Sequence, residues 1–220
     1  IPHDANRSYT TGRLAGGRSS VGGVDFTRGA DSLFKIWKNL TNDEIWNTTN
    51  MLKIFMELEN YTSNDNNDPL YRGDDGMLHV SEQSSTSSMA AKVVAAFERA
   101  VNISRLFDYN DLQNISEVGP FERWQTTRFA TNGSRVSADH AFLRGHVRAR
   151  KNLHLRFGST VTKVLFDNRK RAYGVNYVRE GVSHVALADM RVILTAGVNS
   201  PIILQHSGIG DAEYLDSVGV

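Results

Sequence analysis

Apolar side chains recur along the chain at two spacings, and each spacing predicts one type of element. Between Trp37 and Asn60 they recur every three or four residues, which indicates helix. A second helix is predicted to begin at Ser87 or Ser88, whose hydroxyl would cap it, and a third to span about Ala138 to Arg150. Residues 61–76 lie between the first two helical runs and are polar, which predicts a long loop.

The clearest strand pattern lies in residues 151–220. Short β-rich runs at Thr160–Phe166, Tyr173–Val178 and His184–Leu187 are separated by polar turns. Successive strands with short turns between them pair as antiparallel neighbours. An antiparallel meander is therefore expected in this part of the chain.

A strand, a turn and a helix are expected after the meander. Arg191–Thr195 is predicted to be a compact apolar strand and Ala196–Gly197 the turn that follows it. Ser200 is expected to cap the helix, with Pro201 at its first position and Gly208 at its end. This order of elements directs a helix N-terminus towards an anion, which makes the turn a candidate binding element.

The composition excludes several classes of protein. The chain has 220 residues, of which 40% are hydrophobic and 22% charged, as in ordinary globular proteins. Its 25 basic and 24 acidic residues nearly cancel, so bulk charge indicates neither a nucleic-acid nor a membrane partner. The apolar stretches are too short for a membrane-spanning helix. The absence of cysteine excludes disulfides, thiolate metal sites and cysteine nucleophiles.

Histidines and a basic run are two further features that could bear chemistry, but the sequence favours an ordinary role for both. The seven histidines lack the HxxxH and HExxH spacings of metal sites, so no metal site is expected. Arg144–Arg156 carries five lysine and arginine residues and no acid, and could face phosphates. A solvated helix end leading into a strand is the favoured interpretation of this run.

Asparagine is unusually frequent, and seven glycosylation sequons occur where about three are expected by chance. They begin at Asn6, Asn39, Asn47, Asn60, Asn102, Asn114 and Asn132. A secreted glycoprotein and general asparagine richness explain this excess equally well. The chain also starts with Ile1 rather than methionine and ends in an apolar segment, which predicts that it is part of a longer protein.

Residues 12–23 contain five glycines in twelve positions and allow three interpretations. A phosphate-binding P-loop must follow a buried strand, and residues 1–11 contain no apolar run that could form one. A flexible loop is the second interpretation. The third is a backbone that lies against a flat or phosphorylated ligand, where side chains would clash. The ordered pattern of Val24–Arg28 just after the glycines favours the third.

Two segments carry a resemblance to a known family. RLAGGRSSVGGVDFTRG, residues 13–29, resembles the first signature of the glucose–methanol–choline (GMC) flavoprotein oxidoreductases, and NSPIILQHSGIG, residues 199–210, resembles the second. Landmarks between them, such as Arg135–Ala138, follow the family's order. Two signatures in the right order are far more specific than either alone.

The resemblance implies an α/β fold, α+β overall. It would comprise part of a Rossmann-type FAD-binding domain and part of an antiparallel-sheet substrate domain. Residues 1–40 would form the glycine-rich segment that covers FAD, and residues 41–135 a portion of the substrate domain. Residues 136–220 would return to the FAD domain with the meander and the strand–turn–helix unit.

The resemblance also implies FAD as cofactor and names the positions that would bind it. Glycines in such a loop let main-chain N–H groups reach phosphates and ring edges. The backbone at Val161 would read the adenine edge, and the turn beginning at Thr195 would pack against the adenosine diphosphate portion. The cofactor-binding residues expected in this way are Gly16, Gly17, Ser19, Ser20, Gly22, Gly23, Val161, Thr195, Ala196 and Gly197.

Some landmarks of the family are absent or altered. The first βαβ unit would lie upstream of Ile1 and the catalytic histidine downstream of Val220, so no catalytic residue is expected here and this stretch alone is predicted to be inactive. Arg18 replaces a small hydroxyl residue. Gly22 stands where asparagine or histidine contacts the flavin in the family.

The resemblance therefore predicts an FAD-dependent oxidoreductase acting on the CH–OH group of an aryl alcohol, a sugar or a choline-like alcohol. Hydride would pass to the flavin, and oxygen or another acceptor would reoxidise it; the remainder of the polypeptide would be a further partner. The alternative is a catalytically degenerate structural or coat protein, similar to asparagine-rich members encoded by giant viruses, which could contact nucleic acid. A secreted or virion-associated location is expected ahead of a cytoplasmic one.

Overall fold

The computed structural model divides the chain into two compact units, Ile1–Leu153 and His154–Val220. Helices and sheets are mixed, as predicted. The division by role, at residues 40 and 135, stays a prediction. Within the described ranges, no helix has the length and apolar character needed to span a bilayer. The structure describes residues 11–63, 71–82, 87–103, 108–111 and 124–220.

The first unit contains four α-helices and three strands in its described part, and short 3-10 turns lie between them. In chain order these are α1 (Asp31–Thr41), α2 (Thr48–Leu58), β1 (Glu59–Thr62), β2 (Leu78–Glu82), α3 (Ser88–Val101), β3 (Gln125–Thr126) and α4 (Ala138–Phe142). β2 is the central strand of a sheet in which β1 runs parallel to it and β3 antiparallel. Phe26 packs against this sheet, next to Tyr61 of β1 and Val80 of β2.

Local capping explains where the helices begin. The Ser87 hydroxyl accepts a hydrogen bond from the N–H of Ala90 at 3.1 Å, which confirms the predicted cap of α3. Asn47 caps α2 in the same way through the N–H of Asn50, at 2.8 Å. Such side chains satisfy N–H groups that have no partner inside the helix.

Four charged side chains form a network in the first unit, in which three are buried and Asp108 is partly exposed. Glu59 is fully buried between Arg28 and Arg72 and accepts hydrogen bonds from both guanidinium groups and from the N–H of Gly73, the last at 3.1 Å. Arg72 also binds the carboxylate of Asp108 through Nε at 2.9 Å. Each of these charges would be costly to bury alone, so the four are stable only as a set.

Burial acts against ionisation of both acids in this network. It raises the pKa of Glu59, although two guanidinium groups oppose the change. At Asp108 burial acts in the same direction, but the charge and hydrogen bonds of Arg72 outweigh it, and the pKa of Asp108 is lowered. Asp108 therefore stays ionised, and its negative charge holds Arg72 in place.

Uncharged polar groups extend the network to β3 and to the segment that follows the glycine-rich loop, residues 12–23. The backbone N–H of Arg28 donates to Asn110 Oδ1 at 2.7 Å, and Asn110 Nδ2 donates to Gln125 Oε1 at 2.6 Å. Arg72 Nη2 donates to the same Gln125 oxygen at 2.8 Å. Segments far apart in sequence are thus joined at one buried point, which fixes the position of Arg28.

The second unit is an antiparallel meander followed by two helices. Its elements are β4 (Ser159–Phe166), β5 (Ala172–Arg179), β6 (Val182–Leu187), α5 (Ser200–His206) and α6 (Ala212–Ser217). The strands pair in the order β4-β5-β6, as predicted. Ser207 joins α5 to the sheet, because its hydroxyl accepts the N–H of Val164 at 2.8 Å.

Three local predictions were wrong, each for a physical reason. Arg191–Thr195 is not a strand, because a strand needs a hydrogen-bonded neighbour and no described segment of this unit pairs with it. α4 ends at Phe142 rather than near Arg150, and Gly145 then adopts a left-handed conformation (φ 63°) that helix cannot continue through. Ser200 is the first residue of α5 rather than its cap, and its hydroxyl accepts the N–H of Ala196 instead.

The change Glu59→Gln is expected to lower the free energy of unfolding by about 3–5 kcal/mol, because it removes the carboxylate shared by two buried guanidinium groups. The matched change Glu57→Gln affects an exposed side chain and should alter it by less than about 0.5 kcal/mol. Denaturant unfolding of the full-length protein measures both. Equal effects would contradict a network that depends on this charge.

Candidate functional site

The glycine-rich segment is an ordered turn. Gly16 and Gly17 both have left-handed backbones, with φ of 82° and 53°, and a 3-10 turn follows over Gly17–Ser20. The N–H of Gly17 donates to the carbonyl of Leu14 at 2.9 Å, and that of Ser19 to the carbonyl of Gly16 at 3.2 Å. These two positive φ values confirm that the glycines serve the backbone conformation.

The two left-handed glycines differ in what surrounds them. A β-carbon on Gly16 would lie 2.6 Å from Ser20 Oγ and 3.0 Å from the backbone nitrogen of Asp139. A β-carbon on Gly17 would meet nothing within 4 Å. Gly16 is therefore required by packing within the chain, whereas Gly17 leaves an open space beside the backbone.

The hydroxyls of the two predicted binding serines are used inside the chain. Ser19 Oγ donates to the carbonyl of Gly16 at 2.6 Å and accepts the N–H of Ala138 at 2.8 Å. Ser20 Oγ donates to the carbonyl of Ala15 at 2.9 Å. These side chains shape the loop. The sequence did not predict this, because the residues that accept or donate are identified only by the fold.

Gly22 and Gly23 close the loop. The N–H of Gly22 donates to the carbonyl of Arg18 at 2.8 Å, and a β-carbon on Gly22 would stand 3.1 Å from that oxygen. A β-carbon on Gly23 would lie 2.7 Å from a carboxylate oxygen of Asp25. The close turn at Gly22 thus leaves little room for the larger residue that the family places there.

Val24, immediately after the glycines, has an unusual backbone. It has φ of 65° although its side chain is branched at the β-carbon and buried. Such a conformation costs on the order of 1–3 kcal/mol and is found mainly at functional sites. Thr127 holds it there, because its N–H and its hydroxyl both donate to the carbonyl of Val24, at 2.8 and 3.2 Å.

A cavity of about 510 Å³ opens beside the end of this loop. Its lining residues include Asp25, Glu82, Trp124, Arg128 and Phe129. Glu82 accepts a hydrogen bond from the hydroxyl of Tyr61 at 2.7 Å. Burial and this bond raise the pKa of Tyr61 well above its usual value, so the phenol remains a donor.

The other predicted binding residues lie in the second unit. Val161 is in β4, directly before a β-bulge at the step to Lys163. The turn that begins at Thr195 contains Gly197, which has φ of 59° and nothing within 4 Å of an added β-carbon. The structure thus brings six of the predicted residues together in one loop and three in one turn, and places Val161 in the sheet.

Two histidines and two residues of the basic run make contacts within the first unit. The rings of His79 and His140 both contact the Phe129 ring, at centroid distances of 4.5 and 5.0 Å. Burial, followed by the charge of Arg144, lowers the pKa of His140. Arg144 and Arg148 both pair with Asp139. Within the described ranges, no group of three or more ligating side chains could hold a metal ion.

Comparison with known sequences identifies related proteins. A sequence model of the family described as GMC oxidoreductase matches residues 3–219. The oxygen-dependent choline dehydrogenase of Staphylococcus xylosus is 30% identical over 226 residues, which take in 100% of this chain and 38% of that protein. The corresponding enzyme of Staphylococcus haemolyticus is 33% identical over 221 residues, with coverage of 100% and 37%.

Solved structures show the same likeness. Pyridoxine 4-oxidase from Mesorbium loti superposes with a TM-score of 0.80 at 28% identity, over 96% of this chain and 39% of that one. An FAD-dependent oxidoreductase from Chaetomium thermophilum gives a TM-score of 0.82 at 25% identity, over 96% and 37%. The chain therefore spans less than two-fifths of the length of the proteins it matches, and its fold is that of this class of flavoprotein.

The change Gly16→Ala is expected to destabilise the protein more than Gly133→Ala. Both positions have positive φ, which costs an alanine about 1 kcal/mol. Only at Gly16 would the methyl group also meet a backbone atom, that of Asp139, which adds about 1–3 kcal/mol. Denaturant unfolding of the full-length variants compares them. A cost at Gly133 as large as that at Gly16 would show that packing against Asp139 contributes nothing.

Proposed function

The chain belongs to the GMC oxidoreductase family, and from this premise we propose that the whole protein is an FAD-dependent oxidoreductase that oxidises the CH–OH group of an alcohol. The match of the family model to residues 3–219 is the observation that carries the proposal, and the open space beside Gly17 is consistent with it. A left-handed glycine with nothing within 4 Å leaves its backbone accessible to a flat group. When bound there, FAD supplies the two-electron acceptor for the oxidation.

Residues of the glycine-rich loop would bind the cofactor and fix its position. The backbone at Gly16 and Gly17 would lie against it, while the hydroxyls of Ser19 and Ser20 keep the loop in shape. In the second unit, Gly197 also has a left-handed backbone with nothing within 4 Å of an added β-carbon. No residue of this chain is proposed as the catalytic base.

The cavity beside Val24 favours a cationic alcohol among the three substrate classes. The acidic residues Asp25 and Glu82 and the aromatic residue Trp124 line it and would attract a cation. Arg128 also lines the cavity and reduces the negative charge. The choline dehydrogenases among the relatives are named for a substrate with such a group. We therefore place a choline-like alcohol ahead of an aryl alcohol or a sugar.

The alternative, a structural protein that keeps the fold without the chemistry, rests on Gly22 and Arg18. The family's flavin-contacting side chain is missing at Gly22, and the turn there is closed by a hydrogen bond to Arg18. A protein of this kind could retain flavin or lose it. Flavin absorbance, and its loss when an alcohol reduces the flavin, distinguish the oxidoreductase from the structural protein.

The full-length protein is expected to absorb between about 350 and 500 nm, as a bound flavin does, and to lose this absorbance anaerobically with its alcohol substrate. A panel of choline, an aryl alcohol and a sugar identifies the substrate class, and choline is expected to be the most effective. A flavin band that no alcohol removes would favour the structural protein. A folded protein without the band would refute FAD binding.

The change Gly17→Ala is expected to reduce the flavin content of the full-length protein several-fold while costing only about 1 kcal/mol of stability, because the methyl group occupies space that the chain leaves open. The matched control is Gly181→Ala, which has φ of 76° and also meets nothing within 4 Å, but lies in the β5–β6 turn. Absorbance of flavin per protein measures both. Equal flavin content in the two variants would contradict a cofactor beside Gly17.

A further inference from the structure

We propose that Ser19 is a positioning residue whose hydroxyl fastens the glycine-rich loop to the start of α4, and that together with Arg135 it sets how tightly the loop binds FAD. This inference rests on the proposed function. It assigns a role to a side chain that the resemblance alone would make a cofactor ligand. The contacts of Ser19 form what we call the loop latch: Ser19, Arg135 and Ala138.

The hydroxyl of Ser19 makes two hydrogen bonds within the chain. Its one proton goes to the carbonyl of Gly16 at 2.6 Å, and it accepts the N–H of Ala138 at 2.8 Å. A hydroxyl has one donor and two acceptor sites, so both bonds form at once. The first bond closes the turn that contains the left-handed glycines, and the second ties that turn to a segment 119 residues away.

A second bond connects the same two segments. Arg135 Nη1 donates to the backbone carbonyl of Ser19 at 3.0 Å. The loop also approaches α4 closely at Gly16, where a β-carbon would lie 3.0 Å from the nitrogen of Asp139. The loop is thus joined to residues 135–139 in three ways: by the Ser19 hydroxyl, by the bond from Arg135 to the main chain of the loop, and by close packing at Gly16.

The segment that receives the loop is itself rigidly placed. Val136 is almost fully buried, and its N–H donates to the carbonyl of Thr127 at 2.8 Å. Thr127 in turn holds the carbonyl of Val24, at the far end of the glycine-rich segment. Ser19 and Val24 are therefore fixed to one scaffold, and releasing Ser19 would free the loop between them while Val24 stays held.

Ser20 provides the matched control within the same loop. Its hydroxyl is also used, but it donates to the carbonyl of Ala15, so its bond stays inside the loop. The variant Ser20→Ala removes a hydroxyl of the same kind without cutting the connection to α4. The variant Ser19→Thr keeps the hydroxyl, and its extra methyl group enters an exposed position.

The experiment uses the full-length protein with Ser19→Ala, Ser19→Thr and Ser20→Ala. Hydrogen exchange of the amides in residues 12–23 and 137–139, without FAD, reports the latch directly. Titration of each apoprotein with FAD gives the dissociation constant. Ser19→Ala is expected to speed exchange in these two segments alone and to weaken FAD binding about tenfold, as loss of one or two hydrogen bonds would. Ser19→Thr is expected to restore both.

Each other outcome is decisive. Unchanged exchange at residues 137–139 in Ser19→Ala, or equally faster exchange at these residues in Ser20→Ala, would overturn the latch whatever the flavin content. Faster exchange with unaltered FAD affinity would overturn its role in cofactor binding. If even the unmodified protein binds no FAD, the proposed function fails, while the exchange data still test the connection between the loop and α4.

Discussion

The shared carboxylate of Glu59 is the contact on which the first unit depends. It is fully buried between Arg28 and Arg72, and Asp108 balances the second guanidinium. Charges at this depth are stable only when all partners are present, so strand and loop segments must meet in one arrangement. Arg28 belongs to the same stretch of chain as the glycine-rich loop, and the network therefore fixes where that loop ends.

From Arg28 towards the N-terminus, the chain is hydrogen-bonded at successive points to residues far away in sequence. The N–H of Phe26 donates to the carbonyl of Gln125 at 2.9 Å, Val24 is held by Thr127, and Ser19 by residues of the α4 start. A backbone fixed in this way can keep strained or left-handed conformations without collapsing. This explains how Gly17 can keep a left-handed backbone with open space beside it.

Sequence reasoning succeeded where the signal is local. The cap at Ser87 and the turns of the meander follow from residues within a few positions of each other. It was wrong about Arg191–Thr195 because an apolar run does not specify a neighbour to pair with. It also extended α4 past Gly145, whose positive φ breaks a helical pattern that residue types alone continue.

The sequence by itself determined the family, through two signatures in order, and with it the α/β fold and the positions where FAD is expected. Only the tertiary structure decided what each position does. Arg28 meets Glu59 across 31 residues and Asn110 across 82, and Ser19 meets Ala138 across 119. Hydrogen-bond partners at such separations leave no periodic trace in the sequence. The difference between Gly16, which packs against the chain, and Gly17, which faces open space, therefore emerges only when the chain is folded.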